Sequence, residues 1–497
     1  MPDQKSSYRQ IMKATSIFGG VQVFQIVIQI IRSKFIAILL GPFGMGVAGL
    51  LNTTTNFISV LTSFGIGTSA VKEISAANAT NNETRIAIVT TVLNRVVWIT
   101  GIIGTLITLV LSPWLSQLTF GNGDYTTAYV WISITLLFTQ LTSGQLVLLQ
   151  GLRKLEYLAK ANLYGSVLGL IITLPLYYKL GIAGIVPAII IVSLISLVLS
   201  WVFVKKIGIK PISVSHVRTI AESKSMLTMG FSISLSVLLS VGASYIVRIF
   251  IGKTGSIGDV GLYSAGFSIV TIYVGMIFNA MGTDFYPRLS AVSSDNSLCS
   301  QTINQQAEIA VLILGPILIL FLVFINWVVI FLYSNQFVAI NSMILWAGLG
   351  MFFKVIIWLT GFLFLVKGNI KVYFWNEFAS NIYTLVLNLI GYHLFGLTGL
   401  GISMFVSYLL TMIQYFLIGN IKFSFSFENQ FLKIYLFQFT LAVAAFLTVV
   451  LSRAPYTYLI GMVLIGFSAR FSWKELDKRI GIKILLRGYK ASIFGSK

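Results

Sequence analysis

Apolar stretches long enough to cross a lipid bilayer follow one another along almost the whole chain, separated by short polar breaks. A membrane-spanning helix needs about 20 mostly apolar residues. Of the 497 residues, 57% are hydrophobic and only 10% are charged, whereas a soluble domain is about 25% charged. The sequence therefore predicts an all-α polytopic membrane protein, in which nearly every residue belongs to a membrane helix or a short loop.

The apolar windows predict fourteen transmembrane helices, and the last two are joined only by the short segment R-A-P-Y. The predicted spans lie near residues 14–40, 46–70, 86–111, 127–149, 159–178, 182–204, 226–251, 261–286, 307–333, 342–366, 373–395, 399–419, 434–452 and 456–471. An even number of spans places both chain ends on the same side of the membrane.

The basic residues predict which side that is. With a cytoplasmic N-terminus, the outer loops hold only Lys179, Lys253 and Arg453 of the 34 Lys and Arg residues. Five more lie within spans, and the rest lie on inner segments. Because Lys and Arg concentrate in cytoplasmic loops, both chain ends are predicted to be cytoplasmic. Every outer loop is short, which leaves no room there for an enzymatic domain.

The net charge of +20 does not indicate nucleic acid, because the chain has no long soluble basic segment. This excess of positive charge is expected at the cytoplasmic membrane face.

The single cysteine, Cys299, allows no intramolecular disulfide, and His216 and His393 are isolated, so no metal or cofactor is expected. There is no Walker A motif, and the coupling energy would come from a proton or sodium gradient. The first apolar run is too long for a cleaved signal peptide.

Three separated pairs of segments resemble each other at an almost constant offset along the chain, the one that separates Gly181 from Gly396. The pairs are 32–46 with 248–261, 148–157 with 365–373, and 179–184 with 394–399. Chance similarity between apolar helices would not keep one offset, so the chain is predicted to hold two homologous six-helix lobes of parallel orientation. A cavity between two such lobes is typical of alternating-access transporters.

The repeat divides the chain into four predicted parts. They are an N-terminal lobe of helices 1–6 (1–210), a C-terminal lobe of helices 7–12 (211–432), helices 13 and 14 (433–471) and a basic cytoplasmic tail (472–497). The tail is expected to form an amphipathic basic helix on the inner leaflet.

Helix 1 carries a polar stripe in which Gln22, Gln25, Gln29 and Arg32 are spaced by three, four and three residues, so they share one face. Glutamines can hydrogen-bond between helices, and long cationic side chains can extend to the membrane surface. Arg32 is harder to explain in that way, because arginine within the hydrocarbon is costly unless it meets water or a partner. Lys34 lies on the other side of the helix, nearer its outer end.

Helix 11 carries a second stripe with Glu377, Asn381, Thr384 and Asn388. Both stripes are predicted to face the cavity between the lobes. For Glu377, which is one turn from the inner end of its helix, a structural salt bridge with a basic neighbour is an equal alternative. Asp284 and Glu308 flank the inner loop between helices 8 and 9 and are expected to be solvated.

Three further cations lie within spans. Lys354 is at the centre of helix 10 and needs an acidic partner or a water-filled cavity. Arg248 could extend to the outer surface, but it is equivalent in the repeat to the Arg32–Lys34 region, which favours the cavity; Arg95 is ambiguous. Because in-span cations outnumber in-span acids and match phosphate or pyrophosphate, the cargo is predicted to be anionic.

Three runs carry a resemblance to a known family: K-F-I-A-I-L-L-G-P-F-G-M-G (34–46), F-G-N-G-D-Y (120–125) and G-D-V-G-L-Y-S-A (258–265). They resemble the O-antigen flippases of the multidrug/oligosaccharidyl-lipid/polysaccharide exporter superfamily. Residues 334–377 are similar to the corresponding stretch of its enterobacterial common antigen branch. The resemblance covers helices 1 to 12.

The resemblance implies two six-helix lobes that form a V around a cationic cavity. It implies that undecaprenyl-pyrophosphate-linked oligosaccharides cross the bacterial inner membrane there, with the lipid tail in the bilayer and without an enzymatic step. A polysaccharide polymerase and a chain-length regulator are the implied protein partners. The implied charged cavity positions are Lys34, Arg248, Lys354 and Glu377. The substrate roles of the remaining candidates rest on the residues alone: Gln25, Gln29, Arg32, Arg95 and Asn381.

Three other function classes fit the sequence less well. A multidrug and toxin extrusion exporter of organic cations would need acidic residues at mid-membrane, where this chain has mainly lysine and arginine. A membrane glycosyltransferase or polymerase would need acids or histidines around a sizeable outer loop. A purely structural scaffold does not explain cations within the spans.

Overall fold

The computed structural model describes residues 4–80, 82–209 and 212–480, and these ranges contain helices and turns but no β-strand. This confirms the predicted all-α class. The α-helices are, in chain order, α1 (Gln4–Ser63), α2 (Ile66–Ala79), α3 (Glu83–Val110), α4 (Ser112–Phe120), α5 (Thr126–Ile132), α6 (Ile134–Gly151), α7 (Leu155–Leu180), α8 (Ile185–Lys205), α9 (His216–Thr254), α10 (Ile257–Ser268), α11 (Gly275–Ala291), α12 (Asn296–Val323), α13 (Ile325–Leu332), α14 (Asn341–Val366), α15 (Ile370–Phe423), α16 (Asn429–Leu451) and α17 (Tyr456–Ile480).

Within the described ranges, nine helical stretches are long and apolar enough to cross a membrane. Three of them are about twice the necessary length, and each is broken near its middle. They are Phe24–Ser63, broken at Gly41, Leu155–Lys205, broken by a short 3-10 turn, and Lys371–Phe423, broken at Gly396. Each is long enough for two crossings. With Ile257–Ala291 and Tyr456–Ile480, the helical segments correspond to the fourteen predicted spans.

Residues in the left-handed backbone conformation recur at the offset of the sequence repeat. Three pairs, which keep that offset to within one position, end or interrupt helices: Gly181 with Gly396, Arg153 with Gly368, and Gly208 with Ser424. At Gly181 and Gly396, φ is 54° and 57°, a conformation that glycine adopts without the steric cost of a side chain. The duplication therefore extends from the sequence to the positions at which the chain turns between paired helices.

The described helices group into two compact units. The first holds the chain up to Leu262 together with Leu332–Gln336, and the second holds Tyr263–Phe331 and the chain from Phe337 onward. Helix α9 packs against α1 and α2 in the first unit. Packing does not test homology, so the lobe boundary at residue 210 stays a prediction.

Helices α16 and α17 are bound to the second unit by buried polar contacts with each other and with α12. The buried Gln438 of α16 donates to the Ser472 hydroxyl at 2.8 Å and accepts from Ser468 at 2.6 Å, both on α17. Arg479 of α17 donates to Glu308 at 2.6 Å. The expectation that Glu308 is solvated is wrong, because this arginine covers it. The side chain of Asp284 and the tail residues 481–497 lie outside the described part of the chain.

Candidate substrate cavity

Two adjoining cavities lie inside the first compact unit, between α1, α6, α7 and α8. The larger has a volume of about 410 Å³ and the smaller about 210 Å³. Arg32, Thr142, Val192 and Ser196 line both, so the cavities meet at the Arg32 side chain. Most residues that line the larger cavity carry amide or hydroxyl side chains, among them Asn52, Thr55, Asn56, Ser59, Thr139 and Ser193.

The hydroxyl groups of this lining are compatible with membrane helices because they can donate to backbone carbonyl oxygens of the same helix. Thr55 donates to the Leu51 carbonyl at 3.0 Å, and Thr142 donates to the Phe138 carbonyl at 2.7 Å. This bond to the preceding turn satisfies the hydroxyl without a partner helix. Because a hydroxyl proton rotates, the same group can turn from the backbone toward a bound ligand.

Arg32 is the one charged side chain in the lining of these two cavities. Its Nε atom is buried and has no hydrogen-bond partner among the described residues. A guanidinium within a membrane span is costly unless it meets water or a counter-charge, and no carboxylate lines either cavity. The arrangement therefore favours an anionic ligand beside Arg32.

The predicted polar stripe of helix 1 is only partly brought together. Gln25 lines the smaller cavity with Arg32, because a separation of seven residues is two helical turns and keeps both on one face. Gln29, although on the same stripe, is exposed and outside both linings. The side chain of Gln22 lies outside those that the structure describes.

Lys34 and Arg248 line neither cavity. The Arg248 guanidinium donates to the carbonyl oxygen of Ser244 at 3.1 Å and to the hydroxyl of the same residue, one turn earlier on α9. Lys34 is partly buried and also takes part in an interaction. Their substrate roles stay predictions.

Arg95 has structural partners at the connection between α8 and α9. Its Nη1 donates to the carbonyl oxygen of Val214 at 2.7 Å and to the Thr219 hydroxyl at 2.6 Å. Nearby, Arg85 of α3 bonds to Glu222 of α9, and this hydrogen bond lowers the pKa of the Glu222 carboxyl. Together these contacts hold the start of α9 against α3, which accounts for an arginine at position 95 without a substrate.

In the second compact unit, Lys354 and Glu377 belong to one polar cluster. The Lys354 ammonium lies 5.2 Å from the centre of the Tyr408 ring, a cation–π contact that partly replaces water. The Tyr415 hydroxyl donates to Glu377 Oε1 at 2.6 Å, and the Glu377 carboxylate also attracts Lys354 electrostatically. The hydrogen-bond partner of Glu377 among the described residues is thus a tyrosine, and Lys354 is its cationic neighbour.

The two arms of α15, which pack side by side, are joined by further polar pairs. Gln414 donates to Asn376 at 2.6 Å, Tyr383 and Thr411 lie 2.6 Å apart, and Ser403 donates to Asn388 at 2.6 Å. Asn381, a predicted cavity residue, donates to the Glu377 carbonyl oxygen at 2.8 Å. The second arm was missed from the sequence, although its polar residues have a helical spacing that could have revealed it: Ser403, Ser407, Thr411 and Gln414.

Residues 35–342 match a family described as polysaccharide biosynthesis protein, and this range is more than half of the chain. The chain belongs to the polysaccharide biosynthesis protein family. With the relatives described next, the match confirms the family resemblance carried by the runs at 34–46, 120–125 and 258–265, and the common antigen branch stays a prediction.

Two relatives are named for the lipid on which they act. The chain is 22% identical over 352 residues to the Lipid III flippase of Escherichia coli (strain K12), and equally identical to the Lipid III flippase of Shigella flexneri. Each alignment covers 70% of this chain and 83% of the relative.

Solved structures share the fold. Lipid II flippase MurJ in an inward closed conformation matches with a TM-score of 0.71 and 13% identity over 93% of this chain and 99% of its own. An inward-facing multidrug resistance MATE family transporter of the MOP superfamily matches with a TM-score of 0.62 and 16% identity over 80% of this chain and 94% of its own. The chain therefore has the fold of this exporter superfamily, as a multi-pass membrane protein.

Proposed function

We propose that the protein is a flippase that moves an undecaprenyl-pyrophosphate-linked oligosaccharide from the cytoplasmic to the outer leaflet of the bacterial inner membrane. The oligosaccharide would be an O-antigen or a related surface-polysaccharide repeat unit. The observation that carries the proposal is the Arg32 cavity, whose lining holds one cation, many hydroxyl and amide side chains and no carboxylate. The family and the flippase relatives support it.

In the proposed mechanism, Arg32 binds the pyrophosphate headgroup. A guanidinium can donate two parallel hydrogen bonds to phosphate oxygens, and the hydroxyl and amide side chains around it replace part of the lost hydration. The polyprenyl tail stays in the bilayer, since moving it into water costs about 0.8 kcal/mol for each CH₂ group. Only the headgroup and glycan therefore need a polar path across the membrane.

The energy source in this proposal is a proton or sodium gradient, and Glu377 is the candidate proton acceptor. Protonation would remove the negative charge that attracts Lys354 and would change the hydrogen bond with Tyr415. Because Glu377 and Tyr415 lie on opposite arms of α15, a proton here would alter how the arms hold together.

In this proposal both chain ends are cytoplasmic, and the bilayer supplies the lipid-linked substrate. The exported repeat unit would pass to a polysaccharide polymerase and a chain-length regulator. The relatives are named as flippases, and the protein is proposed to act without an enzymatic step.

The alternative is an ion-coupled exporter of small molecules of the multidrug and toxin extrusion type, which has a similar fold. Organic cations would be repelled by Arg32, and the two cavities offer them no carboxylate. The charge of this lining therefore favours the anionic lipid-linked substrate.

Complementation separates the two functions. The chain is expressed in a bacterial strain that lacks its own flippase, and surface glycan and accumulated lipid-linked precursor are measured, together with resistance to cationic drugs. The proposal predicts restored glycan, less precursor and unchanged resistance. Raised resistance without glycan export would support the small-molecule exporter instead.

A further inference from the structure

A third cavity lies in the second compact unit and is not part of the predicted cationic path. It has a volume of about 390 Å³ and is lined by residues near the junction of α12 and α13, the start of α14, and the ends of α16 and α17 that face each other. Its polar lining consists of Asn326, Asn341, Ser342, Thr457 and Tyr458, and no charged residue lines it. In the predicted topology, these helix ends are on the outer side of the membrane.

Two asparagines in this cavity form a pair that remains incompletely bonded. Asn341 Nδ2 donates to Asn326 Oδ1 at 2.8 Å. Asn341 Oδ1 is buried and has no hydrogen-bond partner in the described part of the chain. Leaving a buried acceptor unpaired costs about 1–3 kcal/mol, so this oxygen favours a ligand that brings a donor. Asn326, which also lines the cavity, carries an amide group that can donate as well as accept.

An aromatic side chain completes the cavity and is held in place from two sides. The Tyr458 ring stacks on Phe324 with ring centres 5.6 Å apart, and its hydroxyl accepts a hydrogen bond from Trp327 Nε1 at 3.0 Å. A fixed aromatic ring beside a few oriented polar groups is the usual composition of a small-molecule site. Here the polar groups are all neutral.

We infer that this cavity binds a neutral sugar residue of the transported glycan at the outer side of the membrane. Each sugar hydroxyl both donates and accepts, so two neighbouring hydroxyls match the free Asn341 oxygen and the Asn326 amide. The apolar face of the sugar ring then lies against Tyr458. An anion finds no cation here, and an apolar ligand would leave the Asn341 oxygen unpaired.

The inference gives α16 and α17 a role, because they supply Val449, Val450, Thr457 and Tyr458 to the lining. It rests on the proposed function for the presence of a glycan at this position. Under this inference different residues recognise different parts of the substrate: Arg32 the headgroup, and the Asn326–Asn341 pair a neutral sugar.

Sugar binding is measured by saturation-transfer difference NMR on the full-length purified protein in lipid nanodiscs, with free galactose, glucose, mannose and N-acetylglucosamine as probes. The wild-type protein should give a signal with at least one of them. Asn341→Leu and Tyr458→Ala should each weaken binding about ten-fold, the loss expected from one hydrogen bond or one aromatic contact in a small site. Tyr456→Ala is the matched control, because Tyr456 is exposed and outside the lining.

Absence of a signal with all four sugars, or equal signals in the wild-type protein and both cavity variants, would overturn the inference. Failure of the proposed function is distinguished by Arg32→Ala, which should abolish glycan export but leave the sugar signal unchanged. If Asn341→Leu binds sugars and exports glycan like the wild type, the sugar site is wrong and the flippase proposal stands.

Discussion

Gly46 and Gly261, which lie at equivalent positions of the repeat, make reciprocal contacts in the structure. A Cβ atom added at Gly46 would lie 1.9 Å from the carbonyl oxygen of Ile257, and one added at Gly261 would lie 1.9 Å from that of Pro42. Pro42 and Ile257 are themselves separated by the offset of the repeat. Equivalent residues of the two repeats thus meet within the first compact unit, where α1 and α10 cross at a distance that only glycine permits.

We predict that Gly46→Ala and Gly261→Ala each reduce glycan export, because either methyl group would force α1 and α10 apart. The loss of export in the double variant should be smaller than the sum of the two single losses and close to one of them, since both substitutions act on one contact. Surface glycan and the amount of membrane-inserted protein are measured in the complementation strain. Gly466→Ala serves as control, because no atom lies within 4 Å of a Cβ built there; equal export by all four variants would show that the crossing need not stay closed.

The repeat was predictable from the sequence, but this crossing was not. A constant offset between the two halves identifies Gly46 and Gly261 as equivalent, and left-handed residues such as Gly181 and Gly396 follow the same offset. Which equivalent residues touch depends on helix packing, and neither hydropathy nor helical spacing contains that information.

Arg95 is predicted to stabilise the fold rather than to bind the substrate. Arg95→Met removes the bonds with Val214 and Thr219 and should destabilise the protein by about 1.5–3 kcal/mol, the range for hydrogen bonds to a charged group. Thr219→Val removes one of these bonds and should have a smaller effect. Thermal unfolding in detergent measures both. Export lost at unchanged thermal stability would instead restore Arg95 as a substrate residue.

Glu377 is predicted to make transport depend on pH. In proteoliposomes, Glu377→Gln should flatten the pH dependence of glycan-lipid transport, because an amide does not take up and release a proton as a carboxyl group does. Tyr415→Phe, which removes the hydrogen bond at 2.6 Å but keeps the carboxyl group, should retain a pH dependence. A Glu377→Gln variant with the wild-type profile would contradict the proposed coupling role.

The membrane orientation can be tested at two adjacent turns. Alkaline phosphatase, which is active only outside the cytoplasm, is fused after Lys179 or after Gly208 in two separate fusion proteins. We expect activity after Lys179 and none after Gly208, since the inner segments carry most of the 34 basic residues. The reverse pattern would place both chain ends outside.

Helical spacing predicted some side-chain neighbours and not others. Gln25 and Arg32 are on one face, and the structure places them in one cavity. For the predicted span 373–395, helical spacing indicates the polar face but not the residues that contact it, since Glu377 bonds to Tyr415, thirty-eight residues further along.

Glu308 shows why the burial of charged side chains near the inner surface is hard to predict from the sequence. Its place beside an inner loop suggested exposure to solvent, yet α17 brings Arg479 onto it. In predicted helix 14 and the tail, the sequence signals are hydropathy and net charge, and a pairing between residues 171 positions apart leaves no periodic signal in either segment.

The most direct test of the proposed function is transport of an undecaprenyl-pyrophosphate-linked oligosaccharide by the purified protein in proteoliposomes. The glycan is labelled, and its appearance on the opposite leaflet is followed with a membrane-impermeant lectin. The wild-type protein should transport it faster than empty liposomes, and Arg32→Gln should be at least about ten-fold slower, because a charge-assisted bond to phosphate is lost, while Lys179→Ala should match the wild type. A wild-type rate equal to that of empty liposomes, or an undiminished rate for Arg32→Gln, would contradict the cationic-cavity account.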